Sequence, residues 1–203
     1  MIVAVVLSAG ESRRMGSPKA LLPIGGETFI ERIVASLGRS KVGKIIVVLG
    51  HNAEGIRSQV AHLPVTWVVN KDYAKGQLSS LIAAVRSLQE SAGAPQVDGI
   101  LVHLVDHPFL DSRLVDEMID RFYESKKLIV LPRYQGRRGH PVIFSTALFA
   151  ELLGTPLEEG AKAVVRAHRN ETLEIETGAE GVTVDIDTED EYRKFVRGKE
   201  CRS

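Results

Sequence analysis

Cysteine is almost missing from this chain: Cys201 is the single one in 203 residues. That excludes an intramolecular disulfide and fits a reducing compartment, so the expected location is the cytoplasm. The lone thiol, close to the end, reads as an exposed tail group rather than a nucleophile. Excess charge of one sign is also missing, because 26 Lys and Arg are balanced by 26 Asp and Glu. No net field therefore draws the chain to nucleic acid or to an anionic membrane, and neither is an expected partner. No apolar run approaches the length of a membrane span. The first run, Ile2–Leu7, is too short and lacks the basic leader of a signal peptide. Internal repeats, low-complexity tracts and clear linkers are missing as well. So are two common phosphate loops: Lys19 lies three residues beyond Gly16, which breaks GxxxxGK[ST], and Ser12 takes the second glycine position of GxGxxG.

What is present is an alternation of strand and helix patterns. It predicts a mostly parallel sheet covered on both faces. Ile2–Leu7, Ile45–Leu49, Val65–Val69, Ile100–Val105 and Leu128–Leu131 read as strands, with Val142–Phe144 and Val182–Ile186 as shorter ones. Thr28 and Glu31 form a capping box before Ile30, Ile33, Val34 and Leu37 at helical spacing. Asp111 caps a second helix with the apolar face Leu114, Val115, Met118, Ile119 and Phe122. A third starts near Ser79 and carries Leu81, Ile82, Val85 and Leu88; Thr188 and Glu191 open a last one with Tyr192, Phe195 and Val196. Ser91–Gln96 and Arg133–Gly139 read as loops. Residues 1–197 are expected to form one domain, with 198–203 a frayed tail.

The loop after the first strand carries the strongest chemical signal. Gly10, Arg13, Arg14, Gly16 and Lys19 follow Ile2–Leu7 closely. Small residues let backbone N–H groups approach phosphate oxygens, and fixed cations offset their charge. Ligands of open α/β sheets sit at the carboxyl ends of the strands, so the loop predicts a polyphosphate site. One of two adjacent arginines usually faces solvent, which leaves Arg14 or Arg13 for the ligand.

Leu7-Ser-Ala-Gly-Glu-Ser-Arg-Arg-Met-Gly-Ser-Pro-Lys19 resembles the signature L-x-[AG]-G-x-[GS]-x-R-M-G-x-x-K of nucleotidyltransferases, and more closely the MobA-like NTP-transferase family. Asn70-Lys-Asp-Tyr-Ala-Lys-Gly-Gln-Leu-Ser-Ser-Leu81 resembles a segment of its molybdenum cofactor cytidylyltransferase branch. Leu104-Val-Asp-His-Pro108 resembles the DxP metal motif, Gly136-Arg-Arg-Gly-His-Pro-Val-Ile-Phe144 the G.RGHPV.F segment, and Asp185-Ile-Asp-Thr-Glu-Asp190 the DIDTPED segment. The five motifs stand in the family's order. The resemblance implies a Rossmann-like three-layer α/β/α nucleotidyltransferase fold with a mostly parallel, mixed sheet. It implies a nucleotide site at Leu7, Ser8, Ala9, Gly10, Arg14, Lys19, Gly76, Gln77, Ser79, Ser80 and Asp106, with Lys19 near the α-phosphate and Arg14 on the β- and γ-phosphates.

Asp106 ends an apolar strand close to where the first loop must lie. A lone Asp there is often a turn residue, but Pro108 and Asp111 already supply turn chemistry. With the resemblance added, Asp106 reads as a ligand for Mg²⁺, with Mn²⁺ as the alternative ion. In the cluster Asp185, Asp187, Glu189, Asp190 and Glu191, the last three fall in a first helical turn, where the dipole favours acids regardless of function. Val182, Val184 and Ile186 share one strand face, so Asp185 and Asp187 share the other. The resemblance maps the second metal carboxylate onto Asp185 first and Asp187 second. Lys19, Arg14 and Asp106 are then the expected catalytic residues.

The chemistry implied is in-line attack of an acceptor phosphate on the α-phosphorus of a nucleoside triphosphate. An ionised phosphate needs no general base, so catalysis rests on positioning and electrostatics. Ser79 or Ser80 could simply cap a helix, but capping requires neither Gln77 nor Gly76. The resemblance gives Ser80 a base contact. It gives Ala9 a pocket narrowed toward pyrimidine, since guanylyl members carry Gly there. Acceptor contacts are implied around Arg138, Gly139 and His140, with Arg133 and Arg137 nearby. His103 reads as a core histidine, and His107 departs from the Gln or Met usual at its place. The expected reaction is CMP transfer from CTP to the phosphate of a molybdopterin-type cofactor, followed by delivery to a molybdenum hydroxylase or its chaperone. The alternatives are GTP or a different phosphate acceptor, and a delivery module that binds without turnover.

Overall fold

The computed structural model describes residues 1–90 and 96–197. The expected tail, 198–203, and most of the expected loop at 91–96 lie outside the described residues. Strand β1 (Ile2–Ser8) is buried along its whole length. A short hairpin, β2 (Pro23–Ile24) and β3 (Glu27–Thr28), leads into α1 (Phe29–Gly38). Then follow β4 (Lys44–Leu49), α2 (Ala53–Gln59), β5 (Thr66–Val69), α3 (Gln77–Glu90), β6 (Gly99–Leu104) and α4 (Ser112–Ser125). The second half contains β7 (Ile129–Tyr134), β8 (Arg137–Arg138), β9 (Val142–Ser145), α5 (Phe149–Gly154), α6 (Ala161–Ala167), β10 (Thr172–Glu176) and α7 (Glu189–Tyr192).

Among the described residues the main sheet has the order β10-β7-β9-β6-β1-β4-β5, with β8 paired to β7. β1, β4, β5 and β6 are mutually parallel, as are β7 and β10, while β9 runs antiparallel to both β6 and β7. The sheet is therefore mixed and mostly parallel, a three-layer α/β fold as expected. The alternation of β1 divides the core. Ile2, Ala4 and Val6 pack with α1 and α4, whereas Val3, Val5 and Leu7 pack with α3 and α5. Burying side chains of this size contributes about 1.5–3 kcal/mol each, so an Asp at Ile33, which is fully buried in α1, would undo that layer.

β1 has β4 on one side and β6 on the other, with Ser8 opposite Leu49 and Leu7 opposite Leu104. The direction of winding reverses at this strand, and the crevice outside its carboxyl end is where such sheets bind ligands.

Local signals explain the helix starts. Thr28 and Glu31 form the capping box of α1, and Asp111 accepts from the Arg113 N–H at the head of α4. Two expectations need correction. Val182–Ile186 is not a strand: Glu180–Thr183 forms a 3₁₀ turn, followed by extended backbone. Its backbone groups bridge loops instead of joining a ladder, with His140 N donating to Val182 O and Ile186 N to Asp106 O. Arg133–Gly139 is not an open loop. Gln135 and Gly136 take positive φ, the geometry of a tight hairpin, and fold Arg137–Arg138 back on β7.

Candidate active site

The loop leaving β1 is shaped by two left-handed residues, Ser12 (φ 52°) and Gly16 (φ 66°). The Ser12 hydroxyl accepts from the Lys19 backbone N–H at 3.0 Å, and Lys19–Leu21 forms a 3₁₀ turn. These contacts direct the Lys19 side chain inward, where only 12% of it is exposed. Its ammonium donates to Asp106 Oδ2 at 3.2 Å and to Asp187 Oδ1. Arg14, mostly exposed, reaches Asp187 Oδ2 at 2.6 Å. A lysine, an arginine and two carboxylates separated by up to 173 positions thus form one cluster. The hydrogen bond from Lys19, then that from Arg14, holds the Asp187 carboxyl below the usual carboxylate range, against the opposing effect of burial.

Backbone contacts set both carboxylates. Val105 N donates to Leu7 O and Ile186 N to Asp106 O, which ties the Asp106 loop to β1 and to the chain just before Asp187. Glu191 Oε2 accepts from Asp187 N at 2.9 Å and Thr188 N at 2.8 Å. Of the acidic cluster, Glu191 is therefore spent on a cap and Glu189 pairs with Arg193. Val184 and Ile186 are buried in a small core with Phe29 and Tyr192, which turns Asp185 and Asp187 to the other side. Asp187 reaches Lys19; Asp185 is exposed and acts electrostatically on His107.

These groups line a cavity of about 190 Å³ that includes Ser8, Gly10, Arg14, Lys19, Asp106 and Asp187. Asp106 Oδ1 is buried and has no hydrogen-bond partner. His107 Nε2 lies 3.9 Å from it, while Oδ2 shares the Lys19 ammonium with Asp187, and two carboxylates gathered on one ammonium suit a hard divalent cation. Among the described residues no three His, Cys, Asp or Glu side chains converge as a complete metal cage. The donor set fits an ion that takes one or two protein carboxylates and completes its shell with phosphate oxygens and water.

The expected acceptor residues lie elsewhere. Arg138, Gly139 and His140 line a second, largely apolar cavity of about 540 Å³ with Leu7, Gln77 and Phe144. This hollow lies on the α3 side of the sheet, where Leu7 and Phe144 join the second core cluster, whereas Ala20, Ile56 and Val105 of the first hollow belong to the other. Arg138 is paired with Glu174 at 2.9 Å. Gly139 allows a close approach: a Cβ there would meet Val182 O at 2.2 Å. Lys162 and Arg166, one turn apart on α6, also border the hollow and carried no sequence signal.

Ala9, Ser79 and Ser80 are buried and line neither cavity, while Gly76 is exposed. α3 starts two residues before Ser79, so neither serine is its N-cap. Asn70 organises them. Its Nδ2 donates to Ser79 Oγ at 2.8 Å and to Ser80 Oγ at 3.0 Å, and its Oδ1 accepts from Asp72 N. The sequence places a polar residue at the end of an apolar strand here, which is the signal that could have found it. Nearby, a Cβ on Gly50 would collide with Tyr73 and Ala9 O, so Tyr73 packs closely against the end of β4, beside the loop that leaves β1.

A row of histidines adjoins Asp106. His103 is a core histidine, as expected; its ring is 6.2 Å from that of His107, which is 5.1 Å from His140. Burial drives all three toward the neutral form, His103 to about 3 and His140 to about 4.

A switch-point crevice, a cationic loop after the first strand and paired carboxylates define a nucleotidyltransferase. Residues 4–172 match the model of the MobA-like NTP transferase domain, and the chain belongs to that family. It is 30% identical over 203 residues to nicotine blue oxidoreductase of Paenarthrobacter nicotinovorans, covering 96% of each chain. It is 31% identical over 143 residues to a probable molybdenum cofactor guanylyltransferase of Bacillus cytotoxicus, covering 68% of this chain and 64% of that one. Among solved structures, Rv0371c of Mycobacterium tuberculosis superposes with a TM-score of 0.83 at 30% identity, covering 97% of both chains. A complex of Rv0371c with manganese aligns with a TM-score of 0.76 at 28% identity over 97% of this chain and 98% of that one. In the described residues no helix is long and apolar enough to cross a membrane.

Proposed function

We propose that the protein transfers CMP from CTP to the phosphate of a molybdopterin-type cofactor and releases pyrophosphate. The observation that carries the reading is Lys19 held between Asp106 and Asp187, with Arg14 on the second carboxylate and Asp106 Oδ1 left without a hydrogen-bond partner. Without ligand, the Lys19 ammonium neutralises both carboxylates. Asp106 and Asp187 would hold a divalent cation, Mg²⁺ or Mn²⁺, which would supply charge stabilisation for the α-phosphate and the departing oxygen. With nucleotide bound, Lys19 turns to the α-phosphate and Arg14 to the β- and γ-phosphates. One acceptor phosphate oxygen bonds to the α-phosphorus as the bond to the pyrophosphate oxygen breaks. Fixed cations stabilise the charge that develops.

Ala9 supports a pyrimidine through the resemblance, in which guanylyl members carry Gly at this place. The guanylyltransferase name of the Bacillus cytotoxicus relative favours GTP as the second reading. The apolar cavity bordered by Arg138, Gly139 and His140 suits the body of the acceptor. Asp187 takes the place that the resemblance gives first to Asp185, because it alone of the two reaches Lys19. The reading includes residues 1–197 as one domain, a cytoplasmic setting and transient delivery to a molybdenum hydroxylase or its chaperone.

The test is pyrophosphate release with Mg²⁺ and molybdenum cofactor, with CTP, GTP, ATP and UTP in parallel. Release with CTP alone supports the reading. Release with GTP alone replaces the base assignment, and no release with any of the four removes the acceptor or the catalytic role.

A further inference from the structure

His103 sits in β6 opposite Val6 of β1, on the face shared with Leu101 and Val105. A histidine in such a place costs stability unless its nitrogens are satisfied. Here one is. Nε2 lies 2.8 Å from the His107 carbonyl oxygen, and Nδ1 is buried with no partner. A carbonyl accepts only, so the neutral ring carries its proton on Nε2 and donates it across the loop.

That loop carries Asp106. Three other backbone bonds hold it: Val105 N to Leu7 O, His107 N to Leu104 O, and Ile186 N to Asp106 O. These secure the chain before Asp106 and both polar groups of the Asp106–His107 peptide. The His107 carbonyl is held from the core side by the His103 ring. An aliphatic residue would pack there with less cost, yet it could not restrain the His107–Pro108 peptide at the far side of the Asp106 loop.

We propose that His103 is a positioning residue, whose Nε2–H fixes the Asp106 loop so that the Asp106 carboxylate is presented for a divalent cation. The inference rests on the metal role given to Asp106 above and adds to it a residue that touches neither metal nor nucleotide. Groups that bond a metal ligand directly change metal affinity by about 10–100-fold when removed, and His103, which bonds the residue after the ligand, is placed at the lower end of that range.

The experiment measures Mn²⁺ binding alone, by the electron paramagnetic resonance of free Mn²⁺, on the full chain as wild type, His103→Gln and His103→Leu. The expected result is an affinity about tenfold or more weaker for the folded Leu variant. The Gln variant, which keeps a side-chain N–H, is expected to lie between wild type and Leu. A folded Leu variant with wild-type affinity overturns the inference and leaves the metal reading standing. So does a Gln variant as weak as Leu. Wild type that binds no Mn²⁺ overturns both. The wild type also carries an independent measurement, by ¹⁵N magnetic resonance of its histidine rings. His103 is expected to be protonated at Nε2, and that resonance to shift on titration with Mg²⁺. Protonation at Nδ1, or no shift at saturating Mg²⁺, overturns the inference even where the Leu variant does not fold.

Discussion

Replacing Asp187 by Asn, with Asp185→Asn as its counterpart, separates two carboxylates that the sequence leaves equivalent. Asp187 accepts from Lys19, whose side chain is 12% exposed, and from Arg14, which is 65% exposed. The exposed arginine contributes little. The bond to Lys19 belongs to the ligand-free protein and bears on its stability, since Lys19 turns to the α-phosphate in the reacting complex. Loss of one of two carboxylates for the cation puts about 3–4 kcal/mol of transition-state stabilisation at stake, which corresponds to a fall in kcat of roughly 10²–10³-fold. Asp185 is exposed and does not reach Lys19, so Asp185→Asn is expected to cost less than about threefold. The assay is Mg²⁺-dependent pyrophosphate release at saturating nucleotide, with thermal melts to show that both variants fold. A larger loss in Asp185→Asn than in Asp187→Asn would refute the reasoning, because the position of Lys19 would then not mark the metal carboxylate.

Asn70→Ala leaves two serine hydroxyls and the Asp72 N–H without their partner, and is expected to cost about 1–3 kcal/mol, read as a melting temperature lower by several degrees. Nucleotide KM should rise more than kcat falls; the reverse pattern would remove the 70–80 segment from nucleotide binding. Gly139→Ala drives a Cβ into Val182 O and is expected to destabilise by about 1–3 kcal/mol in urea titration; an unchanged midpoint would show that the 180–183 turn yields freely. Stability against pH should fall on both sides of a maximum. His103 and His140 stay neutral in the fold down to about 3 and about 4, while unfolded histidines protonate near 6.5, so the unfolded state binds about two more protons and stability drops from pH 6.5 toward 4. His168 runs the other way: its bonds to Glu151 and Glu171 raise its value, so its contribution is full below pH 6.5 and is lost as pH rises through the raised value. In His168→Gln the alkaline decline in melting temperature should diminish, and an unaltered profile would count against the double ion pair.

The sequence by itself determined the parts governed by local pattern. The apolar run of β1 can only be a strand buried on both faces, and the Thr28–Glu31 and Thr188–Glu191 boxes start helices where they stand. It also determined the family, through motifs whose order survives in a linear reading, and the alternation that puts Asp185 and Asp187 on one side. β10 escaped notice because an edge strand needs few apolar residues: Leu173 and Ile175 alternate with Thr172, Glu174 and Glu176. The segment 182–186 has the composition of a strand, yet bonds across loops outweigh pairing, since His140 and Asp106 offer its backbone partners first. Only the tertiary structure decided that Asp187 meets Lys19, that Glu191 is used as a cap, that Asn70 holds Ser79 and Ser80 from within, and that His103 grips the His107 carbonyl. Those facts depend on which chain ends a parallel sheet brings to one edge, and separations of up to 168 residues between Lys19 and Asp187 leave no periodic trace in the sequence.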